Sequence, residues 1–131
     1  MIVVDASVVL EVVLRTPAAS RVEARLAEAA QTLHAPHLID LEVAQVVRRF
    51  CATRELSEER GEEALNDFSA LKITRYPHGV LLPRIWELRH NVTAYDGAYI
   101  ALAEALSAPL LTRDEPLSKA PGHEALIELV E

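Results

Sequence analysis

Ile2-Val3-Val4-Asp5-Ala6-Ser7 decides how the rest of the chain is read. Three β-branched residues in a row make a short strand that is apolar on both faces, as strands inside a parallel sheet are. Asp5 stops that strand with a charge, and an unpaired charge at the end of a buried element is costly. Ser7 can cap a following helix through about Leu14. The same order of residue types returns at Leu110-Leu111-Thr112-Arg113-Asp114, where a buried strand over 110–112 is again closed by an acid.

Working outward from these two stretches, strands and helices alternate. Pro17 opens a helix expected from Ala18 to Ala30, with Val22, Leu26 and Ala29-Ala30 on one face. A brief strand, about Thr32 to Ala35, leads to Pro36. A helix follows from Leu38 to about Thr53, in which Leu41, Ala44, Val47 and Cys51 keep the helical period and Val43, Val46 and Phe50 widen the apolar face. Glu42, Gln45 and Arg49 form a polar stripe on it. Ser57 caps a helix to about Leu71, and Lys72 to Tyr76 is a strand ended by Pro77. A helix from about Val80 to Arg89 tolerates Pro83 in its first turn. Thr93 to Leu106 is the clearest helix. After Asp114 come a helical turn, a Pro121-Gly122 loop and a last strand, about Ala125 to Val130. This alternation predicts a single domain over 1–131, a three-layer α/β/α fold around a central, mainly parallel sheet.

Composition narrows the function. Of 131 residues, 20 are acidic and 13 basic, a net charge of −7, which by itself disfavours non-specific phosphate binding. Arginine dominates the basic residues, however, and its planar fork suits phosphate, so a local basic rim is compatible with that charge. The single cysteine, Cys51, excludes an internal disulfide and fits a buried structural thiol in a reducing compartment. Ile2 to Leu14 is interrupted by Asp5 and Glu11 and lacks a basic leader, so neither a signal peptide nor a membrane span is expected, and a cytoplasmic location is.

Four acids stand at the ends of apolar stretches: Asp5, Glu42, Asp96 and Asp114. Each has a structural alternative. Asp5 could cap the first helix, Glu42 could favour a helix start, Asp96 could close the capping box Thr93-Ala94-Tyr95-Asp96, and Asp114 could be a solvated loop residue. In an open parallel sheet, though, the carboxyl ends of the strands share one edge, where ligands bind. Two carboxylates about 5 Å apart repel by roughly 3 kcal/mol at an effective dielectric near 20. Four together call for a divalent cation or for protons. Oxygen-only donors suit Mg2+ or Mn2+, and zinc is disfavoured because no histidine stands at a ligand spacing. Such a site supports phosphodiester hydrolysis, with Asp5, Asp96 and Asp114 as metal ligands and Glu42 orienting or deprotonating the attacking water. A phosphate-cradling Gly-x-x-x-x-Gly-Lys loop and a serine–histidine pairing are both missing.

Ile-Val-Val-Asp-Ala-Ser at 2–7, Leu-Glu-Val-Ala at 41–44, Val92 to Asp96 and Leu-Leu-Thr-Arg-Asp at 110–114 together resemble the PIN-domain ribonucleases, and most closely the VapC toxins of bacterial toxin–antitoxin pairs. The resemblance covers essentially the whole chain. It implies a PIN-like fold, RNA cleavage dependent on magnesium or manganese, and an acidic site at Asp5, Glu42, Asp96 and Asp114 with Ser7 and Thr112 in support. It also implies a homodimer and inhibition by an antitoxin protein whose tail reaches the acidic pocket. Gln45 stands where such proteins often carry asparagine. Two rival functions are a non-catalytic binding module on the same scaffold and a general RNA-processing nuclease without an antitoxin.

Overall fold

The computed structural model describes residues 1–28 and 31–131. Five strands, β1 (Ile2–Val4), β2 (Leu33–Pro36), β3 (Ile73–Tyr76), β4 (Leu110–Thr112) and β5 (Ile127–Leu129), form one parallel sheet in the order β3-β2-β1-β4-β5. β1 lies at the centre, with Val3 in register with His34 on one side and Leu110 on the other. All three of its residues are fully buried, as are Leu110 and Leu111.

The helices are α1 (Ala6–Val13), α2 (Ala19–Ala27), α3 (Ile39–Ala52), α4 (Glu58–Ala70), α5 (Leu82–Glu87), α6 (Ala94–Leu106) and α7 (Glu115–Ser118), with a 3-10 turn at Gly79–Leu81 before α5. From β1 the chain steps through β2 to β3 in one direction, then crosses back to β4 and β5 in the other. Parallel crossovers are right-handed. Reversing direction therefore moves the helices from one face of the sheet to the other. Accordingly α1 packs with α2, α3 and α4, while α6 packs with α5 and lies along β1, β2 and β4. This is the expected three-layer architecture.

Local signals held in most places. Ser57 caps α4 by accepting from Arg60 N at 3.1 Å, Thr93 caps α6, and Pro83 falls in the first turn of α5. Cys51 is partly buried at the α3–α4 contact, where a Cβ on Gly61 would come within 2.6 Å of its sulfur. Only glycine lets the two helices approach so closely.

Four expectations need correction. Ser7 does not cap α1. Asp5 does, its Oδ1 accepting from Val8 N at 3.2 Å, because the helix begins two residues earlier than expected. Leu41 is 76% exposed, since Ile39, Val43 and Val47 form the buried face of α3 instead. The helix expected over 80–89 is a 3-10 turn followed by the shorter α5, and the last strand spans only Ile127–Leu129. The expected Ala29-Ala30 end of α2 lies outside the described residues.

Candidate active site

The sheet reverses its winding at β1 and β4. The crevice beyond the carboxyl ends of those two strands is where open α/β sheets bind ligands. Asp5 follows β1 directly, and Asp114 stands two residues past β4. Asp5 is 7% exposed and anchored on both oxygens. Its Oδ1 accepts from Ser7 Oγ at 2.6 Å and from Val8 N, while Oδ2 accepts a very short bond from Thr112 Oγ1. Ser7 Oγ in turn accepts from Arg113 N at 2.9 Å, and Thr112 Oγ1 accepts from Asp114 N at 3.0 Å. The two hydroxyls thereby tie the ends of β1 and β4 together around one carboxylate. Asp114 is exposed and caps α7 through Leu117 N at 3.2 Å.

Glu42 and Asp96 enter from the two helical layers. Glu42 is one turn into α3 and half-buried. Its Oε1 accepts from the hydroxyl of Tyr99 at 2.5 Å, leaving Oε2 outside that bond. Tyr99 is buried on α6, one turn after Asp96. Asp96 N donates to Thr93 Oγ1 at 3.1 Å, the forward half of a capping box. The reciprocal bond from Thr93 N to the Asp96 carboxylate is not made among the described residues, so that carboxylate remains free to face the crevice.

Electrostatics links the four acids in a ring. The charge of Asp114 raises the carboxyls of both Asp5 and Asp96, and the charges of Asp5 and Asp96 raise that of Glu42. For Asp5, Glu42 and Asp96 the largest cause is burial, which disfavours the ionised form. Hydrogen bonds from Ser7, Thr112 and Val8 pull Asp5 back toward ionisation, and Tyr99 does the same for Glu42. The Tyr99 hydroxyl is itself pushed far up by burial and by Glu42, which keeps it a donor. None of the four acids is ion-paired with a lysine, arginine or histidine among the described residues.

The donors fit a hard cation in kind. All are oxygens, and their charge is uncompensated. Among the described residues, no three histidine, cysteine or carboxylate side chains stand close enough to form a ready-made ion cage. That geometry disfavours a four-ligand zinc site. By their chemistry, oxygen donors suit a small cation that takes one or two carboxylates and keeps several waters.

Two polar neighbours are held by other partners. Arg113 is engaged elsewhere, with Nη1 donating to Val130 O at 3.0 Å and Nε 3.5 Å from Glu11. Gln45 is exposed and accepts from Arg48 Nε at 3.1 Å, beside an apolar hollow that also takes in Leu38, Leu41, Glu42, Val46 and Tyr95. Tyr99 was missed from sequence. Its only local signal is the i+3 spacing from Asp96, which any helical aromatic in a core would also satisfy.

Comparison with known proteins identifies the family. The PIN domain model matches residues 2–122. Ribonuclease VapC9 of Mycobacterium tuberculosis is 46% identical over 130 residues, covering 99% of this chain and 98% of that protein. Ribonuclease VapC1 of the same organism is 44% identical over 129 residues, covering 98% and 96%. Among solved structures, VapBC2 from Rickettsia felis bound to a DNA fragment from its promoter superposes with a TM-score of 0.75 at 15% identity, covering 100% of both chains. A family model over residues 2–122 and a full-length match to VapC ribonucleases lead to one conclusion: this chain belongs to the PIN-domain family.

Proposed function

We propose that this chain is a cytoplasmic endoribonuclease toxin that uses Mg2+ or Mn2+ to hydrolyse RNA phosphodiester bonds and is silenced by a cognate antitoxin. The supporting observation is the ring of four mutually repelling carboxylates with no basic partner, drawn from four separate elements to the sheet's switch point. Asp5, Asp96 and Asp114 would hold the ion, some of them through water. The ion supplies charge stabilisation on the attacking and leaving oxygens and a lowered pKa for water. Ser7 and Thr112 hold Asp5 in one orientation at the crevice. Glu42 acts on the attacking water. Tyr99 occupies Oε1, so Oε2 would take the proton as the water oxygen adds to phosphorus and one bridging P–O bond breaks, the released ribose oxygen taking a proton from solvent. The raised carboxyl of Glu42 makes it a better base near neutral pH than an ordinary glutamate.

The protein acts as a homodimer in this reading, and the antitoxin has a foothold beside the acids. Leu41 and Tyr95 are exposed by 76% and 68% next to Glu42, where an apolar segment with a cationic tail would cover both kinds of surface. Purified protein is expected to cut RNA in Mn2+ and not in chelator, and its expression to arrest growth until the antitoxin is co-expressed. Equal cutting by the Asp5→Asn protein would remove the mechanism.

A further inference from the structure

We propose that the groove beside Asp96 carries a single-stranded segment of the RNA away from the acidic crevice, with phosphate held by Arg89 and Lys119 and a base stacked on Trp86. The proposal rests on the nuclease reading and adds the path of the substrate. The groove measures about 590 Å³, within the range over which proteins hold ligands. Asp96 forms part of its wall, so it is continuous with the crevice. The rest of the wall changes sign: Arg89, His90, Asn91 and Lys119 face the same space.

Arg89 is the telling residue in a chain of net charge −7. Arg15, Arg25, Arg60, Arg75, Arg84 and Arg113 are each paired with a carboxylate. Arg48, Arg49, Arg54 and Arg89 have no carboxylate partner among the described residues, and of these Arg89 alone lines the groove. Its guanidinium instead lies over the Trp86 ring, 4.5 Å from the centroid, with Nη1 donating to Trp86 O at 2.8 Å. This contact pre-orients the cation without neutralising it. Trp86 is 66% exposed, and a bare indole with a cation on one face is a platform for a base on the other. Lys119 is bonded to Glu115 at 2.6 Å, but that pair is exposed and weak, so its ammonium can exchange for phosphate. Next to the lining residue Pro121, Gly122 adopts φ +88°, and a Cβ there would fall 2.1 Å from Asn91 Nδ2. The 120–122 loop is thus seated directly on the 89–91 turn. An acidic crevice beside a cationic, aromatic lane is what a metal-dependent nuclease needs, since phosphates approaching uncompensated carboxylates are otherwise repelled.

Trp86 is the only tryptophan, and it lies against Arg89 of the groove wall, so its fluorescence reports on that contact. A ten-nucleotide single-stranded RNA is titrated into the Asp5→Asn protein in Mn2+, while cleavage is assayed separately with the wild-type chain. Binding should quench Trp86. Adding Arg89→Gln should weaken binding at least about fivefold and lower the salt dependence by roughly one phosphate contact, whereas Arg54→Gln, at an exposed arginine in the turn after α3, should leave both unchanged. Trp86→Ala, followed with labelled RNA, should weaken binding by a further about fivefold or more. The proposal falls if saturating RNA leaves the fluorescence unchanged, if Arg89→Gln and Arg54→Gln weaken binding equally, or if an acidic peptide quenches Trp86 and RNA does not. Cleavage by the wild type with a silent Trp86 would sink the groove alone. Quenching without any cleavage by the wild type would sink the nuclease reading and leave the groove standing.

Discussion

Carboxylates in two regions of this molecule behave in opposite ways. On α6, Glu104 lies in a bidentate fork with Arg84, at 2.7 and 3.0 Å, and also accepts from Glu124 N. On β5, Glu128 is held the same way by Arg25, at 2.6 and 2.9 Å. Hydrogen bonds from those arginines hold both carboxyls below the ordinary range. At the β1/β4 crevice, burial and mutual repulsion push Asp5, Glu42 and Asp96 above it. The first region spends its charge on fastening elements together. The second keeps its charge unpaired, which costs stability and leaves a place for a cation.

Breaking the crevice should have the largest effect. Asp5→Asn keeps the shape and the cap on α1 but removes the buried charge, and RNA cleavage should fall by about 10³, as when one preorganised charge-stabilising group is lost elsewhere. Initial rates in Mn2+ measure it, with circular dichroism showing that the fold is kept. Tyr99→Phe should lower cleavage about 10–100-fold. It should also move the acid limb of the pH–rate profile upward, because the hydroxyl now holds the Glu42 carboxyl down. An unmoved limb would make Tyr99 a packing residue only.

Two further predictions sharpen the contrast through stability. Mn2+ at about 100 times its dissociation constant should stabilise the wild type by about 2.7 kcal/mol, and the Asp5→Asn protein by clearly less. pH acts in opposite directions on the two regions. The crevice acids have folded-state pKa values raised above their ordinary 3.8 and 4.5, so the metal-free fold gains stability as pH falls from neutral into that raised range and gives it up again as pH rises. Glu104 and Glu128 are lowered below 4.5, so their contribution is full above that value and disappears as pH falls through the lowered one. Thermal melts should therefore show metal-free stability peaking on the acid side of neutral, with added Mn2+ moving the peak upward. The smallest effect is Glu104→Gln, which should cost about 1 kcal/mol whether or not Mn2+ is present.

Much of this was legible in the chain. The β-branched run at 2–4 and the apolar run at 110–111 announced buried parallel strands, because a strand covered on both faces has no polar alternation. The acids closing them marked the carboxyl edge of the sheet. Ser57 and Thr93 declared their helix starts through side chains that bond the next turn. Where expectation failed, tertiary contact had overridden a local preference. Asp5 displaced Ser7 as a cap because Ser7 is held between Asp5, Arg113 and Thr112 across two strands. Leu41 fits the helical period of α3, yet the helix is rotated so that Val43 and Val47 face the core. Tyr99 and Arg89 carried no signal of their own.

The sequence by itself determined which residues could hold charge and where strands and helices alternate, since both follow from side-chain chemistry and short-range periodicity. Only the tertiary structure decided which charges meet. Asp5 and Thr112 are 107 positions apart and Glu42 and Tyr99 are 57 apart, and each pair is joined by one hydrogen bond. Strand order and the right-handed crossovers made those joins, because they choose which strand ends share an edge, and no local pattern encodes that choice.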